Sequence, residues 1–376
     1  MINTLKPVRV LYVLGSLSYG GLETWVMDIV RNIDRKEFQI DVCVTTDIKG
    51  EYEKELQQMG GKILRCPLNK ANPILFYHNL KKMFVREQYD IVHSHTYYFS
   101  GVILRAAAKA GIVKRIAHIH PVVDQKRERK LRRFYTWLMK RWIVRYGTDF
   151  IGPTKASLEG FWGPGWESSR NKHVVYNGIK IERFTKMPDR AVIRKEIDVP
   201  KNVPLVLNIS RFVPHKRYEF FVEMAECVIR KRPDVYFLLI GAGPLKERVK
   251  EIITEKGIIK NFRFVSGVPN LDDYVMSSDL FAFTSCNEGF GIVIIEAAAA
   301  GLNIIAQDIP GVREAIVACP DGVLLPLETG AEEWSKMVIS ALEQPRMSEN
   351  QRQHLLKEFP FTIDKSVARL KEVYYS

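Results

Sequence analysis

The sequence predicts a two-domain α/β protein, and three observations carry that prediction. Apolar, β-branched runs alternate with helical patterns along nearly the whole chain, the alternation breaks off and restarts once, and glycine-bearing loops follow several of the runs. Parallel neighbours in a sheet need a crossover connection, which a helix supplies, so such alternation reads as parallel sheet. At 376 residues the chain also exceeds what one hydrophobic core ordinarily serves.

Residues 8–14 form the first strand pattern, followed by a glycine loop and a helical stretch at 22–33. Further strand patterns lie at 38–45, 62–66, 90–95, 114–120, 149–152 and 173–176. From Val203 the pattern restarts, with strands at 204–209, 235–240, 262–265, 280–283, 303–306 and 323–325. Residues 177–202, polar and charged, read as a linker between the halves. Residues 361–375 read as a short helix with no strand after it. The simplest architecture is one Rossmann-like domain over 1–180 and a second over 181–360, facing a central cleft, with 361–376 as a terminal segment.

Composition excludes several classes. No run reaches the ~18–20 apolar residues of a membrane span. The first residues enter a strand pattern directly, without the apolar core and cleavage site of a signal peptide. Cys43, Cys66, Cys227, Cys286 and Cys319 are scattered and never in CxxC spacing, which argues against a disulfide framework or zinc site and for a reducing cytosol. Net charge is +13, and its distribution is informative. Residues 1–180 hold 30 Lys and Arg against 16 Asp and Glu, whereas residues 181–376 hold 26 against 27. The first half is therefore expected to meet something anionic, nucleic acid or bilayer. Residues 125–146, QKRERKLRRFYTWLMKRWIVRY, place Leu131, Phe134, Tyr135, Leu138 and Trp142 at helical spacing among nine cations. That pattern suits a membrane interface, or a surface helix packing its stripe on its own sheet.

The strongest chemical signal is Glu288-Gly289-Phe290-Gly291, with Glu296 beyond it, between a predicted strand and a helix. Glycine there lets backbone N–H groups at the helix start approach a diphosphate, where the positive dipole end also points. Glu296 is placed to accept from ribose hydroxyls, or to complement the helix dipole. Arg211 and Lys216 lie five apart on another loop after a strand, close enough to serve one leaving diphosphate. The loop Gly15–Glu23 has Walker-like glycines but no Lys-Ser/Thr, which disfavours an ATPase. Gly241 and Gly243 also follow a strand, without the third glycine of a dinucleotide fingerprint. No Asp-x-Asp pair occurs, so a metal–diphosphate clamp is not expected, and neither metal nor cofactor is assigned. His93 and His95, and His118 and His120, sit two apart at strand ends and share a face within each pair. They read as polar cleft groups rather than metal ligands.

Together these residues resemble glycosyltransferase family 4, retaining enzymes of the GT-B fold, and most specifically those of bacterial capsule and exopolysaccharide synthesis. The resemblance spans nearly the whole chain and is densest from Ser266 to Glu314. It implies that Glu296 holds the donor ribose, Glu288 the transferred sugar, and the N–H groups of Phe290, Gly291 and Ile292 the diphosphate, with Gly289 in the same donor-binding loop and Arg211 and Lys216 as the cationic pair. Gly20 and Gly21 match the family's N-terminal glycine loop, and Gly241, Gly243 and Val268 are placed with the donor set. The family's active-site histidine maps to His120 or His118. The resemblance further implies a nucleotide diphosphate sugar donor, UDP before GDP, a lipid-linked glycan acceptor, and work at the inner membrane face, with the terminal helix crossing back to the first domain. A nucleic-acid binder, a sugar-nucleotide epimerase or hydrolase on the same fold, and a non-catalytic partner subunit are the competing readings. No nucleic-acid module is recognisable, so nucleic acid is not an expected partner.

Overall fold

The computed structural model describes residues 6–68, 72–120, 130–268 and 270–376. Packing divides the chain into two units, Met1–Gly178 with Ile363–Ser376, and Ile179–Thr362.

The first unit is built on seven parallel strands: β1 (Val8–Leu14), β2 (Phe38–Val44), β3 (Ile63–Arg65), β4 (Ile91–Ser94), β5 (Lys114–His118), β6 (Asp149–Gly152) and β7 (Lys172–Val174). Their order is β3-β2-β1-β4-β5-β6-β7, so the connection reverses direction between β1 and β4. Six of the seven β1 residues are buried. Helices on both faces of a parallel sheet account for such a continuous apolar run. In doubly wound sheets of this kind, ligands bind beyond the carboxyl ends of the strands at the reversal point. His93 lies on β4, which borders that point, and His118 on β5, the next strand out. β4 ends at Ser94 and β5 at His118, so His95 and His120 stand just past the strand ends, on the loops.

The terminal helix Ile363–Tyr375 belongs to this first unit. Its Ser366 hydroxyl donates to the Tyr176 carbonyl and accepts from the Gly178 N–H at 2.7 Å.

The helix Lys130–Tyr146 does not present the stripe its sequence suggests. Thr136, Met139 and Ile143 face inward, whereas Leu131 and Phe134 are 86% and 63% exposed. The partner helix, Ser100–Lys109, decides this. A Cβ on its Gly101 would lie 2.7 Å from the Met139 carbonyl oxygen, so the absent side chain lets the two backbones approach on the Met139 side. Residues 125–129 of the basic segment, with Lys126, Arg127 and Arg129, lie outside the described residues.

The second unit carries six parallel strands: β8 (Leu205–Ile209), β9 (Tyr236–Ile240), β10 (Phe262–Val265), β11 (Leu280–Phe283), β12 (Asn303–Gln307) and β13 (Val323–Leu325). The order β10-β9-β8-β11-β12-β13 puts the reversal between β8 and β11. Phe221, Phe237 and Trp334 are fully buried in its core.

Residues 177–202 are not a free linker. They fold into a 3₁₀ turn, Ile181–Phe184, and a helix, Arg190–Glu196, whose first turn Asp189 caps by accepting from the Ala191 N–H. Phe184 is fully buried and Ile193 nearly so. Composition hides this because the anchor is polar. The buried Arg194 guanidinium donates to Asp279 and to the carbonyls of Pro200, Lys201 and Val203.

Candidate active site

In the first unit the four strand-end histidines come together. His93 Nε2 lies 3.2 Å from His118 Nδ1, and His95 Nδ1 lies 3.0 Å from His120 Nε2. The His118 and His120 rings stack with centroids 4.2 Å apart. His93, His95 and His118 are buried, while His120 is partly exposed. Burial, reinforced for the first three by the neighbouring imidazoles, lowers every pKa in the cluster, to about 3 for His93 and His120. All four rings are therefore neutral at physiological pH. Of the two histidines the sequence leaves open, His120 is the one that reaches solvent.

The cluster extends to residues that carried no motif. Tyr374, on the terminal helix, holds its hydroxyl 3.0 Å from His93 Nδ1 and 2.7 Å from the Tyr12 hydroxyl. Trp25 packs edge-on against His118 at 5.3 Å. Nitrogens of His93, His95 and His118 lie within 4.8 Å of one another, so these three rings are the described residues best placed to share a metal ion. Two of them already spend ring nitrogens on each other. Gly20 precedes the helix Gly21–Asn32 and, having no side chain, leaves room for the Glu23 carboxylate, whose oxygen would lie 2.4 Å from a Cβ there.

In the second unit the loops after β8 and β11 converge. The Cys286 N–H donates to the His215 carbonyl at 2.9 Å and the Thr284 hydroxyl to the Lys216 carbonyl at 3.0 Å. This stitching brings the Lys216 ammonium onto the Glu288 carboxylate, an ion pair between the two separate motifs. The same ammonium lies 5.3 Å above the Phe283 ring. Arg211 is exposed and its guanidinium makes no ion pair among the described residues, so the structure does not draw it into the Lys216–Glu288 contact.

Gly291 adopts φ +89° as the residue before the helix Ile292–Ala299, a conformation that glycine takes without strain. Phe290 is buried, its ring edge-on to Phe361 at 5.0 Å, and Gly289 approaches Gly311 so closely that a Cβ on Gly311 would sit 2.5 Å from the Glu288 carbonyl. Gly311 carried no signal in the sequence. Gly241 and Gly243 pack on the loop after β8, where a Cβ on Gly241 would lie 2.0 Å from the Ser210 carbonyl oxygen. Close backbone packing thus accounts for glycine at these positions. Val268 is half-buried on the loop after β10.

Glu296 is buried within its helix and has Arg183 Nη2 3.3 Å away. Arg183 also grips Asp272, with Nε donating at 2.8 Å. Sequence reading passed over Arg183 because it lies in the supposed linker, one cation among many.

Two doubly wound parallel sheets in succession are the architecture of the GT-B fold. Residues 19–183 match the family described as Glycosyltransferase Family 4, and residues 189–357 match that described as Glycosyl transferases group 1. Together the two matches cover most of the chain, which carries both of these glycosyltransferase domains and is a glycosyltransferase. It is 24% identical to the capsular polysaccharide biosynthesis glycosyltransferase CapH of Staphylococcus aureus, over 98% of this chain and 99% of that one. It is likewise 24% identical to the Escherichia coli UDP-Gal:alpha-D-GlcNAc-diphosphoundecaprenol alpha-1,3-galactosyltransferase, over 79% and 78% of the two chains. Among solved structures, Anabaena HepE in complex with UDP and glucose superposes with a TM-score of 0.81 at 20% identity, covering 98% of this chain and 99% of that one.

Proposed function

We propose that the protein transfers a sugar from a UDP-sugar, with retention of anomeric configuration, to a lipid-linked glycan acceptor in surface polysaccharide biosynthesis. The Lys216–Glu288 pair beside the Gly291 helix start carries this reading. A glycine-bearing helix N-terminus offers N–H donors to a diphosphate, and an ammonium at its rim stabilises the charge that grows as the diphosphate leaves. Glu288 orients that ammonium and, with the diphosphate bound, faces the transferred sugar. Glu296, held by Arg183, receives the ribose hydroxyls. His120 supplies a neutral imidazole on the acceptor side. The departing diphosphate takes the acceptor's proton on the same face, and no metal or cofactor takes part.

The relatives support the substrate classes: one is named for a UDP-galactose donor and a diphosphoundecaprenol-linked acceptor, another for capsular polysaccharide. The place of work is the cytoplasmic face of the membrane, with the basic first unit toward the lipid and no role for nucleic acid. No helix among the described residues is long and apolar enough to cross a membrane. The deciding experiment incubates the protein with UDP- and GDP-sugars and undecaprenyl-diphosphate-linked saccharides. Lipid-linked product that retains the donor anomer is expected. Donor hydrolysis or epimerisation without transfer would reject the proposal.

A further inference from the structure

At the opposite end of the second sheet from the Lys216–Glu288 pair, the amino ends of β8 and β11 frame a cavity of about 280 Å³. Arg190, Arg194, Lys201 and Arg346 line it, and Asp279 is its one acidic residue. That carboxylate is fully engaged: it accepts from Arg190 Nη2 and Arg194 Nη2 at 2.5 Å each and from the Leu205 N–H at 2.8 Å. Arg194 is satisfied and structural. The others are not. Arg346 donates one hydrogen bond, to the Met276 carbonyl at 3.1 Å, and makes no ion pair among the described residues. Arg190 Nε is buried without a hydrogen-bond partner, and the Lys201 ammonium pairs with no carboxylate among the described residues. Burial, and then the like charge of Arg190, push the Arg346 guanidinium down to about 10.

A half-buried guanidinium set among like charges, in the wall of a polar cavity, is costly unless an anion answers it. Arginine forks match the oxygens of phosphate, and a pocket with four cations and one spent carboxylate repels cationic ligands. We infer that this cavity is a second anion site, separate from the donor site, that binds a phosphate group through Arg346, Arg190 and Lys201. The group is either inorganic phosphate or the phosphate of a small monoester.

The test titrates the full chain with inorganic phosphate, and in a parallel arm with glycerol phosphate, at ionic strength held constant with sodium chloride, reading Tm. A ligand that binds only the folded state raises Tm in a saturable way. Arg346→Ala should weaken the phosphate response about tenfold or more, as loss of charged hydrogen bonds does. Lys201→Ala, on an exposed side chain that does not endanger folding, should weaken it about threefold. The arm with the lower half-saturation names the source. The Arg211→Ala, Lys216→Ala double variant should keep the response, which separates this site from failure of the donor-site reading. The inference is overturned if wild type responds to phosphate no more than to chloride. It is equally overturned if the response survives Arg346→Ala and Lys201→Ala unchanged, or disappears with the double variant alone.

Discussion

The Tyr374 hydroxyl, on the last helix of the chain, lies 3.0 Å from Nδ1 of His93 on β4. Both groups are buried, and the Tyr12 hydroxyl continues the chain of contacts at 2.7 Å. With Tyr374 donating, His93 carries its proton on Nε2 and offers it to His118 Nδ1, which fixes the tautomers of two rings. Tyr374→Phe should fold but lose about 1–2 kcal/mol, because it leaves His93 Nδ1 buried and unpaired. Urea unfolding of the variant checks this; an unchanged midpoint would mean that water or a neighbour replaces the hydroxyl at no cost.

The same cluster makes stability depend on pH. The folded histidines resist protonation, His93 and His120 down to about pH 3, whereas unfolded imidazoles titrate near ~6.5. Below pH ~6.5 the unfolded chain binds protons that the folded chain refuses, so stability falls as pH falls, through a window from about 6.5 to about 3. Each histidine that stays neutral contributes a slope of up to about 1.4 kcal/mol per pH unit. Denaturant midpoints at pH 7 and pH 5 should converge in a His93→Gln, His95→Gln variant relative to wild type. An equal drop in both proteins would place the pH sensitivity elsewhere.

These examples show what the sequence made legible. The thirteen strands among the described residues announced themselves, five of them to the residue (β1, β6, β10, β11 and β13), because a parallel sheet covered on both faces demands uninterrupted apolar runs. The two acids at 288 and 296 and the cations at 211 and 216 could be picked out by their strand–loop–helix setting. Their partners could not. Arg183 and Tyr374 are ordinary residues in unremarkable stretches, and only tertiary folding carries them to Glu296 and His93. Period alone also left the inward face of Lys130–Tyr146 undecided, since the helix is apolar on more than one side and Gly101 on another helix makes the choice.

Arg183 is expected to position Glu296. Glu296→Ala should weaken UDP affinity about tenfold through lost hydrogen bonds to ribose, and Arg183→Ala should weaken it less, by freeing the carboxylate to turn. Calorimetric titration with UDP measures both. Normal affinity in a folded Glu296→Ala variant would reduce the pair to a structural tie between the Ile181–Phe184 turn and the helix Ile292–Ala299.

Lys216→Ala should depress turnover more than it raises the KM for donor, because its charge matters most as the diphosphate departs. Turnover should also persist in EDTA. An absolute requirement for added Mn²⁺ or Mg²⁺ would defeat the metal-free mechanism. The His93, His95 and His118 nitrogens are then the first place to look for a bound ion, by metal analysis of the purified protein.

The exposed face of Lys130–Tyr146 leads to the last prediction. Leu131, Phe134, Trp137 and Val144 are all more than half exposed and fall on one side of the helix, with Lys130, Arg133, Arg141 and Arg145 also exposed. Thr136, Met139 and Ile143 hold the other side against the protein, so the outward apolar residues are not needed for packing. A basic, aromatic face of this kind inserts shallowly into an anionic bilayer, and each Lys or Arg near the surface contributes about 1 kcal/mol. The protein should therefore sediment with anionic vesicles at low salt and be released as salt screens the charges over a Debye length of ~8 Å at physiological strength. Charge reversal of Lys130, Arg132 and Arg133 to Glu should abolish binding, and Phe134→Ser with Trp137→Ser should weaken it while leaving salt dependence in place. Transfer to a soluble acceptor analogue should survive both changes, because the proposed donor residues lie in the second unit. Joint loss of vesicle binding and soluble-acceptor activity in a folded variant would make this helix part of the acceptor site instead. Indifference of the wild type to anionic vesicles would leave the excess charge of the first unit to another anionic partner.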